Sequence, residues 1–256
     1  MQAVILCGGK GTRLREETVN VPKPLVKIVD MPILWHIMKI FDAYGVREFV
    51  LCLGYKGEVI KDYFLNLQEY ASNFTIEYNE RGKRIFYRDD NIINWKMTFV
   101  DTGRDTNTGG RLWRAAGFIE GPRFFATYED GVSGVNLQQL LAFHLEQNRI
   151  ATLTAVHPPS PFGLLEAENG VARSFKEKPP IEGLVNGGFF VFERVIFDYL
   201  DDDNCMLEEE PLRRLVDGGQ LSVFEHKGFW MGMDTYKQFT QLNHIWDSGV
   251  APWKVW

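Results

Sequence analysis

Cysteine is scarce in this chain, and the three cysteines that occur, Cys7, Cys52 and Cys205, lie far apart. None of them forms a C-x-x-C pair, which argues against both a disulfide framework and a structural zinc site. Cys7 and Cys52 fall in apolar runs, where a free thiol usually acts as a small hydrophobic side chain. This cysteine usage is typical of a reducing compartment and predicts a cytoplasmic protein.

Long apolar runs and an excess of positive charge are also missing. No stretch of about 18 apolar residues occurs, so we expect no membrane span, and the short N-terminal apolar run does not resemble a signal peptide. The net charge of −6 argues against a general nucleic-acid-binding protein, which needs a basic face to displace counterions. An anionic ligand must therefore be bound by a local cluster of cationic groups. The five histidines show no metal-ligand spacing, and we expect structural roles for them.

Strand and helix patterns alternate over roughly the first 160 residues. Apolar β-branched runs predict the strands, and apolar residues at helical spacing predict the helices. The predicted strands are 2–7, 47–53, 98–101, 123–128 and 150–156, and the predicted helices are 33–44, 55–67, 109–119 and 136–147. This alternation predicts an α/β fold with a Rossmann-like, mostly parallel sheet and helices on both faces.

The pattern changes after about residue 160. Short alternating segments over 162–192 predict antiparallel strands laid over the first sheet, and helical patterns return near 194–200, 208–217 and 235–247. No repeat and no linker rich in proline, glycine or serine divides the chain, which predicts one domain over 1–256. The charged segment 80–97 is predicted to be an irregular insertion or a hairpin arm.

A glycine-rich turn directly follows the first predicted strand. Residues 8–14 read Gly-Gly-Lys-Gly-Thr-Arg-Leu, at the carboxyl end of a strand where open parallel sheets bind their ligands. Glycines let backbone N–H groups approach phosphate oxygens, and Lys10 and Arg13 add positive charge. The spacing matches neither the GxGxxG pattern nor the P-loop pattern. By itself the segment is equally compatible with a plain tight turn.

A second feature is Lys23, which stands between Pro22 and Pro24. Each proline fixes its own φ angle and restricts the residue before it, so the lysine lies on a stiff backbone. Such a backbone can aim an ammonium group at a phosphate, although a solvated loop lysine is the alternative.

The two segments together, GGxGTRL and PKPL, resemble the signature of the sugar-phosphate nucleotidylyltransferases. Further segments, in order along the whole chain, resemble the glucose-1-phosphate cytidylyltransferase branch of that family. They are PILWHIM at 32–38, GYKG at 54–57, DTG at 101–103, TGGRL at 108–112, NGGFF at 186–190 and APWK at 251–254. The resemblance implies a nucleotide-diphospho-sugar transferase fold and an Mg2+-dependent enzyme that makes CDP-glucose and pyrophosphate from CTP and α-D-glucose 1-phosphate.

The resemblance also implies which residues bind the substrates. The nucleotide-binding residues all fall in a half of the domain at about 1–160. They are Leu6, Cys7, Gly8, Gly9, Lys10, Gly11, Thr12, Arg13, Lys23, Thr106, Arg111 and Glu129. Of these, Arg13 and Lys23 are expected to be catalytic through charge stabilisation. The sugar phosphate is expected to be bound by Tyr128, Glu177, Lys178, Asn186 and Gly187.

Two aspartates, Asp130 and Asp234, are implied to bind Mg2+. Asp234 lies in the second half of the domain, at about 161–256, which also contains most of the predicted sugar-phosphate residues. Magnesium prefers oxygen ligands and is usually held by one or two carboxylates together with substrate phosphates. The alternatives are a turn aspartate in Asp130-Gly131 and a helix N-cap region around Asp234.

The expected chemistry needs no general base, which suits a chain with no evident Ser-His-Asp or Cys-His arrangement. A phosphate monoester has a second pKa of about 6, so its oxygen is largely ionised at neutral pH and can attack the α-phosphorus itself. The enzyme's task is then to position the substrates and to neutralise charge during an in-line displacement.

The sequence departs from the family pattern next to the predicted metal ligand. Glu129 stands where the family usually has glycine, and Gly134 and Asn136 stand where it tends to have aspartates. Glu129 could crowd the ligand, join the metal shell or point away. Three functions therefore remain open: the cytidylyltransferase, the same chemistry with another phosphorylated acceptor or pyrimidine nucleotide, and a catalytically weak nucleotide-sugar-binding paralogue.

A homo-oligomer is a further expectation from the resemblance. The aromatic content of 14% and the charged segment 80–97 could supply an interface, since aromatic side chains are enriched at interfaces. The alternative is an aromatic-rich core with a mobile loop.

Overall fold

The computed structural model describes residues 1–18, 21–80, 82–87, 93–160, 162–179 and 183–256. Its strands are β1 Gln2–Cys7, β2 Lys27–Ile28, β3 Met31–Pro32, β4 Glu48–Leu53, β5 Phe74–Asn79, β6 Gly82–Tyr87, β7 Lys96–Asp101, β8 Arg123–Tyr128, β9 Gly131–Ser133, β10 Ala151–Val156, β11 Leu164–Glu168, β12 Val171–Lys176, β13 Val185–Glu193, β14 Leu221–Glu225 and β15 Trp230–Gly232. Its helices are α1 Arg15–Thr18, α2 Ile33–Ala43, α3 Gly57–Leu65, α4 Leu67–Ala71, α5 Thr108–Ala115, α6 Leu137–Gln147, α7 Glu210–Asp217 and α8 Tyr236–Asp247. Short 3-10 helices span Thr12–Leu14, Lys23–Leu25, Ala116–Phe118 and Arg194–Tyr199.

One mixed sheet of seven strands organises the fold, in the order β14-β10-β13-β8-β1-β4-β7. The neighbours of β1, which are β4 and β8, both run parallel to it, and so does β7 to β4 and β14 to β10. Strand β13 runs antiparallel to β8 and to β10. The predicted fold class, a mostly parallel mixed sheet flanked by helices, is confirmed.

The expectation that the strands of 162–192 lie over the first sheet is wrong for β13, which is part of that sheet. Strands β11 and β12 pair with each other in a separate hairpin. The predicted insertion at 80–97 falls partly on residues 81 and 88–92, which lie outside the described residues. Its described part contains β6, which forms an antiparallel hairpin with β5.

Alternating side chains of β1 enter two cores, one on each face of the sheet. Ala3 and Ile5 pack into a core that also contains apolar residues of α2, α3, α6 and α8. Val4 and Leu6 pack into a second core with residues of α5 and α7. Because β1 is buried on both faces, its sequence is a continuous apolar run rather than an alternating one. No helix in the described ranges is both long and apolar enough to cross a membrane.

The C-terminal segment packs its tryptophans around His36 of α2. The His36 ring lies 4.6 Å from the ring of Trp246 and 6.3 Å from that of Trp253, measured between centroids. Both His36 and Trp253 are fully buried. Burial lowers the pKa of His36 to about 4, so the folded protein holds a neutral imidazole at neutral pH.

This burial predicts an acid-sensitive contribution to stability. In the unfolded chain His36 takes up a proton below about pH 6.5, whereas the folded chain resists protonation down to about pH 4. The unfolded state then binds more protons, so the contribution of His36 is lost as the pH falls through this window, by roughly 3 kcal/mol. Urea denaturation gives the free energy of unfolding of the wild type and of His36→Gln at pH 7 and at pH 4. The difference between the two proteins should shift in favour of the variant by that amount as the pH falls from 7 to 4. An equal difference at both pH values would contradict the assignment.

Candidate functional site

The carboxyl ends of β1, β4, β7 and β8 meet at one edge of the sheet, and two adjoining cavities open there. The larger cleft has a volume of about 490 Å³ and is lined by Leu6, Gly8, Gly9, Lys10, Arg104, Asp105, Thr106, Asn107, Thr108, Arg111, Tyr128, Glu129, Asp130 and Met206. The smaller cleft has a volume of about 240 Å³ and is lined by Gly9, Lys10, Gly11, Arg13, Lys23, Glu129, Asp130 and Asp234. Most of the predicted nucleotide and metal residues therefore lie together.

A more voluminous groove of about 810 Å³ lies elsewhere, between α3, α8 and the segment 21–32. Its lining is largely apolar and contains none of the predicted site residues. We place the site at the two clefts because the convergent charged groups are there.

Lys23 lies at the centre of the smaller cleft, between the two predicted metal ligands. Its Nζ atom is 2.6 Å from Oδ2 of Asp130 and 2.8 Å from Oδ1 of Asp234. The Lys23 side chain is only 7% exposed, because it extends inward from the 3-10 helix that follows Pro22. Burial by itself lowers the pKa of Lys23, but the charges and hydrogen bonds of the two aspartates outweigh it and raise the pKa above its usual value.

A short strand pair brings the two aspartates together across the sequence. Asp130 stands between β8 and β9, and β9 pairs antiparallel with β15, which ends just before Asp234. The backbone N–H of Met233 also donates to the carbonyl of Asp130 at 2.7 Å. Arg13 adds a second cation, with its NH2 atom 3.0 Å from Oδ1 of Asp234.

A capping box holds the backbone at Asp234. Thr235 is the N-cap of α8, and its hydroxyl accepts the N–H of Gln238 at 3.3 Å. The Gln238 side-chain oxygen accepts the N–H groups of Asp234 and Thr235, each at 3.0 Å. Asp234 itself precedes the cap, so the N-cap role that was the alternative for this region belongs to Thr235.

Loss of this cap should cost measurable stability. Thr235→Ala removes the hydroxyl that accepts the backbone N–H of Gln238 in the first turn of α8, and we expect the free energy of unfolding to fall by about 1 kcal/mol. Urea denaturation checks this value. Thr240→Ala in the same helix is the matched control, because the Thr240 hydroxyl only bonds the preceding turn at Tyr236 and should contribute little. Equal stability of the two variants would contradict the capping role.

Arg111 joins three strand ends beneath the larger cleft. Its guanidinium NH1 donates to the carbonyl of Leu53 at 3.1 Å and to that of Gly103 at 2.8 Å, and NH2 donates to the carbonyl of Gly8 at 3.1 Å. NH1 also donates to the hydroxyl of Thr102 at 2.8 Å. Arg111 is 5% exposed, and a Cβ atom at Gly8 would overlap its guanidinium. Glycine is therefore required at position 8 because the arginine fills the space that a side chain would occupy.

Glu129 lines both clefts. It is 7% exposed, and a Cβ atom at Gly9 would lie 2.8 Å from its Oε1. Burial first, and then the charge of Asp130, raise the pKa of Glu129 to about 7, while Lys23 and Arg111 partly oppose the rise. Of the three alternatives considered for this residue, the one in which it points away from the site is wrong.

Polar groups of the predicted sugar site meet at the end of β8. The Tyr128 hydroxyl donates to a carboxylate oxygen of Glu208 and accepts the Nδ2 amide of Asn186 at 3.2 Å. The other carboxylate oxygen of Glu208 accepts the Thr108 hydroxyl at 2.6 Å. Burial, and then the Glu208 charge, raise the pKa of Tyr128. Gly187 lies nearby in β13 and accepts the indole N–H of Trp230 at 2.7 Å.

Glu208 was not predicted from the sequence. It belongs to a run of acidic residues before Pro211, and no spacing connects it with Tyr128. Asp105 was also missed; its carboxylate pairs with Nζ of Lys10 at 2.6 Å on the rim of the larger cleft.

Three other predicted residues, Glu177, Lys178 and Cys7, are not among those that line the two clefts. Glu177 and Lys178 form an ion pair of 3.3 Å with each other after β12, and neither lines the two clefts. The side chain of Cys7 is buried in the core, where burial, and then nearby charge, raise the pKa of its thiol. The side chain of Thr12 lies outside the described part of the chain.

Comparison with known proteins gives consistent relatives. The nucleotidyl transferase family model matches residues 2–246. The probable glucose-1-phosphate cytidylyltransferase of Bacillus subtilis (strain 168) is 46% identical over 257 residues, and the glucose-1-phosphate cytidylyltransferase of Salmonella typhi is 45% identical over 258 residues; each match covers 100% of both chains. The crystal structure of HddC from Yersinia pseudotuberculosis superposes with a TM-score of 0.71 at 22% identity, covering 96% of this chain and 99% of that one, so the two share a fold.

Proposed function

The chain belongs to the nucleotidyl transferase family, and we propose that within it the protein transfers the cytidylyl group of CTP to α-D-glucose 1-phosphate, giving CDP-glucose and pyrophosphate. The convergence of Lys23, Asp130 and Asp234 beside the glycine-rich turn is the observation that carries this proposal. The choice of CTP and glucose 1-phosphate rests on relatives that bear this activity in their names at 45–46% identity over full length.

The proposed chemistry is an in-line displacement at the α-phosphorus of CTP. A phosphate oxygen of glucose 1-phosphate forms the new P–O bond, and the bond to the pyrophosphate oxygen breaks. Lys23 and Arg13 stabilise the negative charge that builds up on the phosphate oxygens, in a partly buried setting where charge interactions are stronger than in water. The backbone of residues 8–11 supports the phosphates, and Thr106 and Arg111 line the nucleotide side.

The residues at the smaller cleft fit Mg2+ as the cofactor. Its preferred ligands are carboxylate and phosphate oxygens, and Asp130 and Asp234 point their carboxylates at the same position, that of the Lys23 ammonium. The described residues contain no preformed group of three metal-ligating side chains, which suits an ion that takes its remaining ligands from substrate phosphates. When bound, the ion would neutralise the α-phosphate and the leaving pyrophosphate.

The sugar phosphate is proposed to bind where β8 and β13 end. Hydroxyl, amide and carboxylate groups of Tyr128, Asn186 and Glu208 are linked there by hydrogen bonds, and such groups suit sugar hydroxyls. Gly187, Glu177 and Lys178 remain predicted contributors. Accordingly, we propose a nucleotide-binding half at about 1–160 and a sugar-phosphate and metal half at about 161–256.

A cytoplasmic homo-oligomer is also part of the proposal. The free thiols of Cys7 and Cys52 are buried, which suits a reducing compartment. The β5–β6 hairpin exposes the aromatic side chains Phe74, Tyr78, Phe86 and Tyr87, and exposed aromatic residues are typical of interfaces. Light scattering at micromolar concentration tests the oligomer, and a monomer would remove that part of the proposal.

Pyrophosphate release tests the proposed reaction. The purified protein is incubated with Mg2+ and glucose 1-phosphate together with CTP, UTP, dTTP, ATP or GTP in turn. Release with CTP alone is the expected result. Release with another nucleotide would show different specificity, and release only after the acceptor is changed would show a different sugar phosphate. No release with any nucleotide or acceptor would favour a nucleotide-sugar-binding paralogue.

A further inference from the structure

Glu129 is a buried carboxylate in the clefts that forms no ion pair with any residue that the structure describes. It is 7% exposed and lines both cavities. Apart from its own backbone N–H, its carboxylate has no hydrogen-bond or ion-pair partner among the residues that the structure describes. A buried carboxylate without a partner is costly, so its presence at the phosphate end of the site calls for a ligand.

The cationic side chains around Glu129 are already engaged elsewhere. Lys23 is shared by Asp130 and Asp234, and Arg13 also pairs with Asp234. Lys10 pairs with Asp105, and the terminal nitrogens of Arg111 donate to carbonyls and a hydroxyl.

A phosphate oxygen cannot be the direct partner of an ionised Glu129, because the two would repel each other. A hard divalent cation between them satisfies both, since Mg2+ and Mn2+ bind carboxylate and phosphate oxygens together. The smaller cleft is lined by three carboxylates, those of Glu129, Asp130 and Asp234. The described residues contain no preformed group of three metal ligands, so Glu129 must turn toward a cation there, and its carboxylate then exchanges the bond to its own backbone N–H for the cation.

We propose that Glu129 is a third carboxylate ligand for the divalent cation at the smaller cleft, in addition to Asp130 and Asp234. The inference rests on the metal site of the proposed function and adds to it a ligand at the position where the resembled family usually has glycine. It implies that this chain binds divalent cations more tightly, before nucleotide arrives, than two aspartates alone would allow.

Titration of the full-length protein with Mn2+ alone, followed by electron paramagnetic resonance of the free ion, tests the inference. We expect Glu129→Gln to raise the Kd for Mn2+ by about tenfold or more, since loss of groups at a metal site typically costs 10–100-fold in affinity. Glu129→Gly should have a similar effect, and it leaves no side chain in the cleft that could bind the cation. Circular dichroism and thermal unfolding confirm that the variants are folded.

Glu58→Gln is the matched control, because Glu58 is exposed on α3 and the substitution removes the same charge. Its Kd for Mn2+ should equal that of wild type. An unchanged Kd in both Glu129 variants would overturn the inference, as would absence of Mn2+ binding by the wild type at millimolar concentration. If the Glu129 variants raised the Kd for Mn2+ no more than Glu58→Gln does, the effect would be one of net charge alone, and this result would also overturn the inference. Pyrophosphate release by the wild type is measured separately, so failure of the proposed reaction is distinguished from failure of this metal ligand.

Discussion

Replacing Lys23 by alanine is expected to lower kcat for pyrophosphate release by about 10²–10³-fold, the usual effect of removing one preorganised donor from a buried site. Lys23 is the most buried cation of the smaller cleft, and it contacts both Asp130 and Asp234. The substitution removes positive charge where phosphate charge develops and leaves the two aspartates facing each other. Because the interaction is expected to strengthen in the transition state, kcat should fall more than KM for CTP rises. Steady-state kinetics with CTP and glucose 1-phosphate measure both quantities.

Lys27→Ala is the control for this experiment, since Lys27 is an exposed lysine close in sequence that lines neither cleft. It should retain wild-type kinetics. Thermal unfolding of both variants separates a catalytic defect from a folding defect. Near wild-type turnover of a folded Lys23→Ala protein would show that this lysine has no catalytic role.

A single methyl group at Gly8 should destabilise the protein by about 3–5 kcal/mol, as expected when a well-packed site is overfilled and a buried charge loses its partners. The added Cβ would overlap the guanidinium of Arg111. Arg111 cannot simply move aside, because its guanidinium is hydrogen-bonded to the ends of three strands. On another side the guanidinium packs against Gly54, where an added Cβ atom would also overlap it. The structure then loses either these hydrogen bonds or the position of the phosphate turn, so CTP binding should fail together with stability.

Gly117→Ala serves as the matched control, because an added Cβ there meets nothing within 4 Å. It should be neutral or slightly stabilising through the reduced entropy of the unfolded chain. Urea denaturation followed by tryptophan fluorescence compares the two variants. A Gly8→Ala protein with wild-type stability and CTP affinity would contradict the packing of Arg111 described above.

The sequence predicted the strongly periodic elements well. The strand predicted at 123–128 coincides with β8, and the helix predicted at 33–44 differs from α2 by one residue at its end. These segments are buried on the faces that the pattern indicates, so local pattern and tertiary packing agree. Strand β14 was missed, because Leu221–Glu225 is short and mixes polar with apolar residues at the edge of the sheet. The insertion of β13 between β8 and β10 depends on long-range pairing, which local periodicity does not encode.

The candidate site was predictable from the sequence where the residues concerned belong to one short continuous segment. Residues 8–14 and Lys23 were recognisable from local residue types, because glycines allow close approach of the backbone to phosphates and prolines stiffen the backbone on either side of the lysine. That Asp130 and Asp234 lie together depends on the β9–β15 pair, which the sequence could not show without the family resemblance. Glu208 reaches Tyr128 from a distant loop, and no local signal marks it. The burial of Glu129 was not predictable either, because a glutamate next to an aspartate and a glycine is typical of an exposed turn.

The amounts of pyrophosphate and CDP-glucose formed from CTP, glucose 1-phosphate and Mg2+ test the central claim most directly. Chromatography with mass detection quantifies both products from the same reaction of the wild-type protein. Formation of both in equal amounts, with loss of both in Lys23→Ala, is the predicted result. Pyrophosphate without CDP-glucose would indicate hydrolysis rather than transfer, and absence of both products would contradict a cytidylyltransferase acting on glucose 1-phosphate.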